Sequence, residues 1–457
     1  MPIGTTFLSQ AECERVAATL LARTAFAFRM FFLARRANRP QNEIMLTQGQ
    51  APSATTTRRQ FLRRTAGAMP ALLLLGAAGS RPAMSAAAEA ALTERLSASR
   101  PSSLPKLPPD FRQRVGATHV AGKYGLTTKP FLVEGAEKLL QLGATLGKFW
   151  FMPGNPAASY PFHSRWPTCK NFVDLARTDY FRQVFDLPFK TILLEAHTPA
   201  EEGWRKPNRP ASFYEGVTQE FRELTAHLYQ SYGNRDLTFV LQHWEGDWML
   251  RGSGEKWTPP PPDWRQRCEA MTRWLAARQA GVSQARADAS PSAKCVVAHA
   301  AEVNRVADIW KKIPTMTDQV LPEVTLDLVS YSCYDGMKDA LTLWHCLAEI
   351  RRHCRTGALF GPGAVMVGEI GIPENDAPQR VTERWDELMG AMLAAEVKYI
   401  AQWELYCNEF SQAAAPRPAT PIKDPRQVRG FWLVKPDGSL SETGQYFRGL
   451  WQRAGAA

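Results

Sequence analysis

Eight short apolar runs, separated by longer amphipathic stretches, restrict the fold of this chain more than any other feature. The runs cover residues 115–120, 148–152, 191–195, 237–243, 294–299, 326–331, 365–369 and 399–403. Each has the length of a strand and is bounded by turn-forming residues. Between them, residues 133–143, 212–232, 264–281, 301–313, 336–354 and 377–396 carry apolar side chains at three-to-four spacing, the period of a helix buried on one face. Strand and helix in alternation predict a parallel sheet, because parallel strands need a crossover. Eight such units close on themselves as a (β/α)8 barrel of the α/β class. Residues 199–210 and 256–262 are proline-rich and irregular. They predict extended βα loops after strands three and four, on the face where such barrels carry their chemistry.

The barrel is expected over residues 111–457. Ahead of it, Thr57-Arg58-Arg59-Gln60-Phe61-Leu62-Arg63 precedes an apolar run at 66–78 and small residues at 83–88. This resembles a twin-arginine signal peptide, which implies the twin-arginine export machinery as a partner and a periplasmic or secreted location. The run is shorter than the ~20 residues a spanning helix needs, and Gly67, Pro70 and Gly76 interrupt it, so no permanent membrane span is expected. Met45 stands at a suitable distance upstream. Residues 45–88 therefore read as the signal, 1–44 as an over-extended, unstructured N-terminus, and the Pro/Ser-rich stretch 89–110 as a linker.

Charge follows the same division. The net charge is +11, but residues 1–95 hold twelve Arg, five Glu and neither Lys nor Asp, so +7 of it lies there. What remains is too dispersed for a nucleic-acid binder. Cysteines stand at 13, 169, 268, 295, 333, 346, 354 and 407, without Cys-x-x-Cys pairs or zinc-type Cys/His spacing. They read as buried thiols, and neither a structural metal nor a cofactor is expected.

The carboxyl ends of the strands carry the chemistry. Strand three ends in Glu195-Ala196-His197, strand four in His243-Trp244-Glu245-Gly246-Asp247, and strand five in His299 with Glu302 and Asn304 beyond. Strand six leads to Tyr334, strand seven is Val365 to Gly371 around Glu369, and strand eight ends in Trp403-Glu404; His119 closes strand one. Ionisable groups at apolar strand ends cost free energy unless paired or put to use, and their convergence on one rim points to an active site. Glycosidic bonds need two carboxyl groups, one to protonate the leaving oxygen and one to attack the anomeric carbon or activate water. Glu245 and Glu369, three strands apart, can face one sugar across a barrel mouth.

On these residues the chain resembles the large clan of retaining glycosidases with an eightfold barrel, the cellulase/mannanase-like superfamily. Gly368-Glu369-Ile370-Gly371 is similar to the Gly-Glu-Phe-Gly pattern around the clan's strand-seven nucleophile. Trp403 is similar to the tryptophan that floors the sugar subsite, and Tyr334 to the tyrosine that contacts the nucleophile. The ending from Gly430 to Gly438 resembles the clan's terminal strand and turn. The likeness spans about residues 111–452 and assigns no family. It implies an exported glycoside hydrolase acting on an oligo- or polysaccharide by double displacement, with Glu245 as acid/base and Glu369 as nucleophile. Many members place Asn before the acid/base, where Trp244 stands here. His243, His299 or Asn304 is then left to supply the polar contact, with Asp247 as the substitute for Glu245. His119 and His197 complete the expected substrate contacts.

Two other readings compete. His119, Glu195, His197, Glu245 and His299 are enough ligands for a metal-dependent barrel hydrolase or sugar isomerase. A carbohydrate-binding barrel without catalysis would keep the tryptophans and dispense with one of the glutamates.

Overall fold

The computed structural model describes residues 85–252, 260–412, 414 and 417–456. The expected signal peptide and N-terminal extension lie almost wholly outside these residues, as does most of the proline-rich stretch 256–262. No described helix is long and apolar enough to cross a membrane.

Eight parallel strands close into a barrel in simple sequence order: β1 (Val115–His119), β2 (Leu146–Phe151), β3 (Thr191–Ala196), β4 (Thr238–Gln242), β5 (Val296–Val303), β6 (Leu328–Ser332), β7 (Val365–Ile370) and β8 (Ile400–Gln402). Each strand pairs with its two neighbours in sequence, and β8 closes on β1 through Val115 opposite Ile400. This is the (β/α)8 arrangement, in which no sheet edge is left open.

The helices around it begin with α1 (Ala86–Ala98), α2 (Phe131–Leu142), α3 (Asp179–Asp186) and α4 (Ala211–Tyr232). They continue with α5 (Gly246–Arg251), α6 (Trp264–Ala287), α7 (Ala340–His353), α8 (Val381–Ala394) and α9 (Glu442–Gly455). Local chemistry fixes several boundaries. The side chains of Thr178, Asp339 and Ser441 accept backbone N–H groups at the starts of α3, α7 and α9, and left-handed Gly143 ends α2.

Two stretches differ from the pattern the sequence suggests. Within the expected linker 89–110, α1 buries Leu92 and Leu96 and packs on α7 and α8. Ser102 then bonds Asp386 of α8, so this stretch is anchored to the barrel's outer layer. The helix expected at 301–313 does not form. Strand β5 runs on to Val303, and a 3-10 segment, Val306–Lys311, follows it. The reason is Asp247, whose carboxylate accepts the N–H groups of Asn304 (2.9 Å) and Arg305 (3.1 Å) and takes them out of any helical ladder.

Inside the barrel, strand alternation builds layers. The floor is apolar, made by Leu146, Leu193, Val240, Ala298, Ala300, Leu328, Met366 and Ala401 among others. Two residues further along six of the strands come Lys148, Glu195, Gln242, Glu302, Ser330 and Gly368. The period of two that puts one set inward puts the other inward as well, one layer nearer the mouth.

Candidate active site

The layer above the apolar floor is a closed polar network. Lys148 Nζ lies 2.9 Å from Glu195 and 3.8 Å from Glu302, and donates to the Gly368 carbonyl at 3.1 Å. Glu302 Oε2 accepts from Ser330 Oγ (2.7 Å) and Gln242 Nε2 (2.9 Å). All these side chains are buried. Burial pushes the Glu195 carboxyl up to about 7, against the pull of Lys148, and the neighbouring Glu302 charge adds to the rise. Lys148, facing several carboxylates, is held above the ordinary lysine range despite its burial.

Gly368 is required by this network. A Cβ there would stand 2.6 Å from Glu302 Oε2 and closer still to Ser330 Oγ. The small residue before Glu369 thus makes room for a third glutamate below it.

Above this layer lie the two glutamates singled out by the sequence. Glu245 follows β4 directly and is nearly buried; Ser332 Oγ donates to its Oε1 at 2.8 Å. Its backbone N–H donates to Glu302 Oε1 at 3.1 Å. Glu369 reaches the same level by an irregularity. Between its two neighbours β7 contains one residue more than they do: Ser330 and Ser332 pair with Met366 and Glu369, and Ile400 and Gln402 pair with Val367 and Ile370. A one-residue bulge reverses which side chains point inward. Glu369 thereby becomes the register partner of Ser332, whose hydroxyl holds Glu245. Its charge is felt at Lys148 inside the barrel and at Glu404 beyond β8.

The remaining candidates divide. Trp403 is buried at the end of β8 with its indole N–H 3.4 Å from Glu409, and the Trp403–Glu404 peptide is cis. Tyr334 is half-buried after β6, edge-on to Phe431 at 6.3 Å. His197 is partly exposed at the end of β3, 3.6 Å from Glu201. These three stand at the mouth. His119 instead packs behind β1, its ring 4.5 Å from that of Phe131 on α2 and its Nε2 2.8 Å from the Phe131 carbonyl. His299 is turned outward against Phe221 of α4. Neither ring lies on the inner face, and burial lowers His119 to about 4.

His243 has both ring nitrogens engaged. Nε2 accepts the Glu302 N–H at 3.2 Å and Nδ1 faces the Trp244 carbonyl at 3.0 Å, which fixes a neutral Nδ1–H tautomer. Burial, with Arg278 nearby, lowers its pKa to about 3. Asn304 and Asp247 bind each other: Asn304 Oδ1 accepts the Asp247 N–H at 3.0 Å. Asp247 also accepts N–H groups from Asn304, Arg305 and Met316, so its carboxylate is committed to the main chain and is no substitute for Glu245. The five residues that could have held a metal ion are thus dispersed. Among the described residues no three His, Cys, Asp or Glu side chains are placed to share one.

Glu404 is fully buried and accepts the Asn408 N–H at 2.9 Å. Burial holds its pKa well above the usual carboxylate range, with the charges of Glu409 and Glu369 adding to the effect. Lys148, Gln242, Ser330 and Ser332 were given no role from the sequence, and Glu302 was named there only as lying beyond strand five. The alternation Ala298, Ala300, Glu302 was the signal for one of them.

No family model matches the chain, and no curated protein matches it. Solved structures do. A GH5_18 protein from Bifidobacterium longum subsp. infantis is similar at 14% identity, over 74% of this chain and 78% of that one, with a TM-score of 0.47. A GH5-4 broad-specificity endoglucanase from a Clostridium is similar at 12% identity, over 76% and 98%, with a TM-score of 0.44. The β-mannanase of Thermomonospora fusca, solved with mannotriose, is similar at 14% identity, over 75% and 91%, with a TM-score of 0.41.

Proposed function

We propose that the chain is an exported glycoside hydrolase that cleaves O-glycosidic bonds of an oligo- or polysaccharide with retention of configuration. Glu245 donates its proton to the leaving oxygen while Glu369 attacks the anomeric carbon. Water then enters with Glu245 acting as base. The observation that carries this reading is Ser332: its hydroxyl bonds Glu245 Oε1 at 2.8 Å, and it is the register partner of Glu369. The residue that bonds one carboxyl is thus in register with the residue that carries the other, which supports a shared substrate between them. Trp403 and Tyr334 supply the apolar faces on which a sugar ring packs, and His197 a polar contact at the rim. The twin-arginine segment around Arg58 and Arg59 takes the chain to the periplasm or beyond.

A panel of aryl glycosides, with the first-formed anomer followed by NMR, tests the proposal. Retention is expected. Azide should rescue Glu245→Ala with a retained glycosyl azide and Glu369→Ala with an inverted one. Inversion by the wild type, or full turnover by Glu369→Gln, defeats it.

A further inference from the structure

We infer that Glu302 is a positioning residue for Glu245, acting through the backbone N–H of Glu245. The inference rests on the reading of Glu245 as the proton donor.

Residue 302 grips the segment 243–245 at both ends. Its own N–H donates to His243 Nε2 at 3.2 Å, and its Oε1 accepts the Glu245 N–H at 3.1 Å. The bond from Ser332 then aims the Glu245 carboxyl, while Glu302 fixes the point from which that side chain departs. Acceptance by a carboxylate makes the backbone bond stronger than a neutral pair would be. Its other oxygen is held by Ser330 and Gln242, so the anchor itself has little freedom. The plainer alternative is that Glu302 only balances Lys148. The distances oppose it: Lys148 is 2.9 Å from Glu195 but 3.8 Å from Glu302, whose shorter contacts are all with Glu245, Gln242 and Ser330. Gly368 points the same way, since the strand that carries the nucleophile lacks a side chain where Glu302 needs space.

The test uses the dependence on leaving group. In the first step the Glu245 O–H bond breaks as its proton moves to the glycosidic oxygen, the bond from that oxygen to the anomeric carbon breaks, and the Glu369–carbon bond forms. A 2,4-dinitrophenyl group departs as its anion and needs no proton; a phenyl group depends more on one. Glu302→Gln keeps the volume but offers one accepting oxygen to three donors. Its kcat/KM should fall on the order of 10–100-fold for the phenyl glycoside and less than about 3-fold for the dinitrophenyl glycoside of the same sugar. A structural defect alone lowers both equally, and equal loss or no loss overturns the inference.

Ser330→Ala, which removes one bond to Glu302 and adds no bulk, should show the same selectivity at lower amplitude. It decides the matter where Glu302→Gln does not fold, and a Ser330→Ala enzyme without the selectivity then counts against the role. Glu245→Ala is the control. If it lacks leaving-group dependence, the acid/base reading falls and this inference with it. If it has the dependence and the Glu302 and Ser330 variants do not, only this inference falls.

Discussion

Replacing Lys148 with Met tests the energetics of the buried layer. The ammonium is fully enclosed, with Glu195 at 2.9 Å, Glu302 at 3.8 Å and the Gly368 carbonyl at 3.1 Å. Methionine fits the volume but leaves two carboxyls facing each other without a cation. Breaking a buried pair from one side costs about 3–5 kcal/mol. Without the ammonium, a further carboxyl has to be held neutral. For a Glu with the ordinary value of 4.5, that costs about 4 kcal/mol at pH 7.5 and less than about 1 kcal/mol at pH 5. The penalty of Lys148→Met should therefore shrink by about 3 kcal/mol between pH 7.5 and pH 5. Urea unfolding at both values, followed by tryptophan fluorescence, measures it. Adding Glu195→Gln to Lys148→Met should recover about half of the loss at pH 7.5. Equal penalties at the two pH values would refute the charge argument and leave only a packing effect.

Other outcomes follow from the same geometry. Because Glu195 sits near 7 in the folded chain and near 4.5 when unfolded, the folded state binds the extra proton between those values. Stability should fall by about 3 kcal/mol as pH rises from 4.5 through 7, and Glu195→Gln should flatten that slope. Gly368→Ala places a methyl against Ser330 and Glu302; it should cost about 1–3 kcal/mol in thermal or urea unfolding and lower turnover on aryl glycosides. Asp247→Ala strips the acceptor from three backbone N–H groups and should cost about 3 kcal/mol, while the folded enzyme keeps the wild-type leaving-group dependence. Arg58→Lys with Arg59→Lys should hold the precursor in the cytoplasm, as read by cell fractionation.

The eight strands were legible because each is an apolar run of the right length, and all eight appear within a few residues of their expected bounds. The helix expected at 301–313 shows where local pattern loses to tertiary contact. Its apolar spacing suits a helix, yet Asp247, more than fifty residues away, claims the N–H groups that a helix would use. That misreading hid Glu302, which was taken as lying beyond its strand. His119 and His299 illustrate the opposite limit. A polar residue at a strand end reads as part of a rim, but the sequence alone does not say which face of the strand it occupies. Whether Glu369 faces inward was equally out of reach, since the extra residue in β7 is visible only against both neighbouring strands.

That extra residue has a further consequence for how such sequences are compared. Parity along β7 is broken at Gly368 and Glu369, so a relative with one residue fewer there would present a different side chain to the lumen while aligning without a visible gap elsewhere. An acidic residue in the matching column would then point into the helical jacket and be mistaken for the same group. Counting residues between Met366 and Ile370 is the safer guide to whether another chain has kept the arrangement.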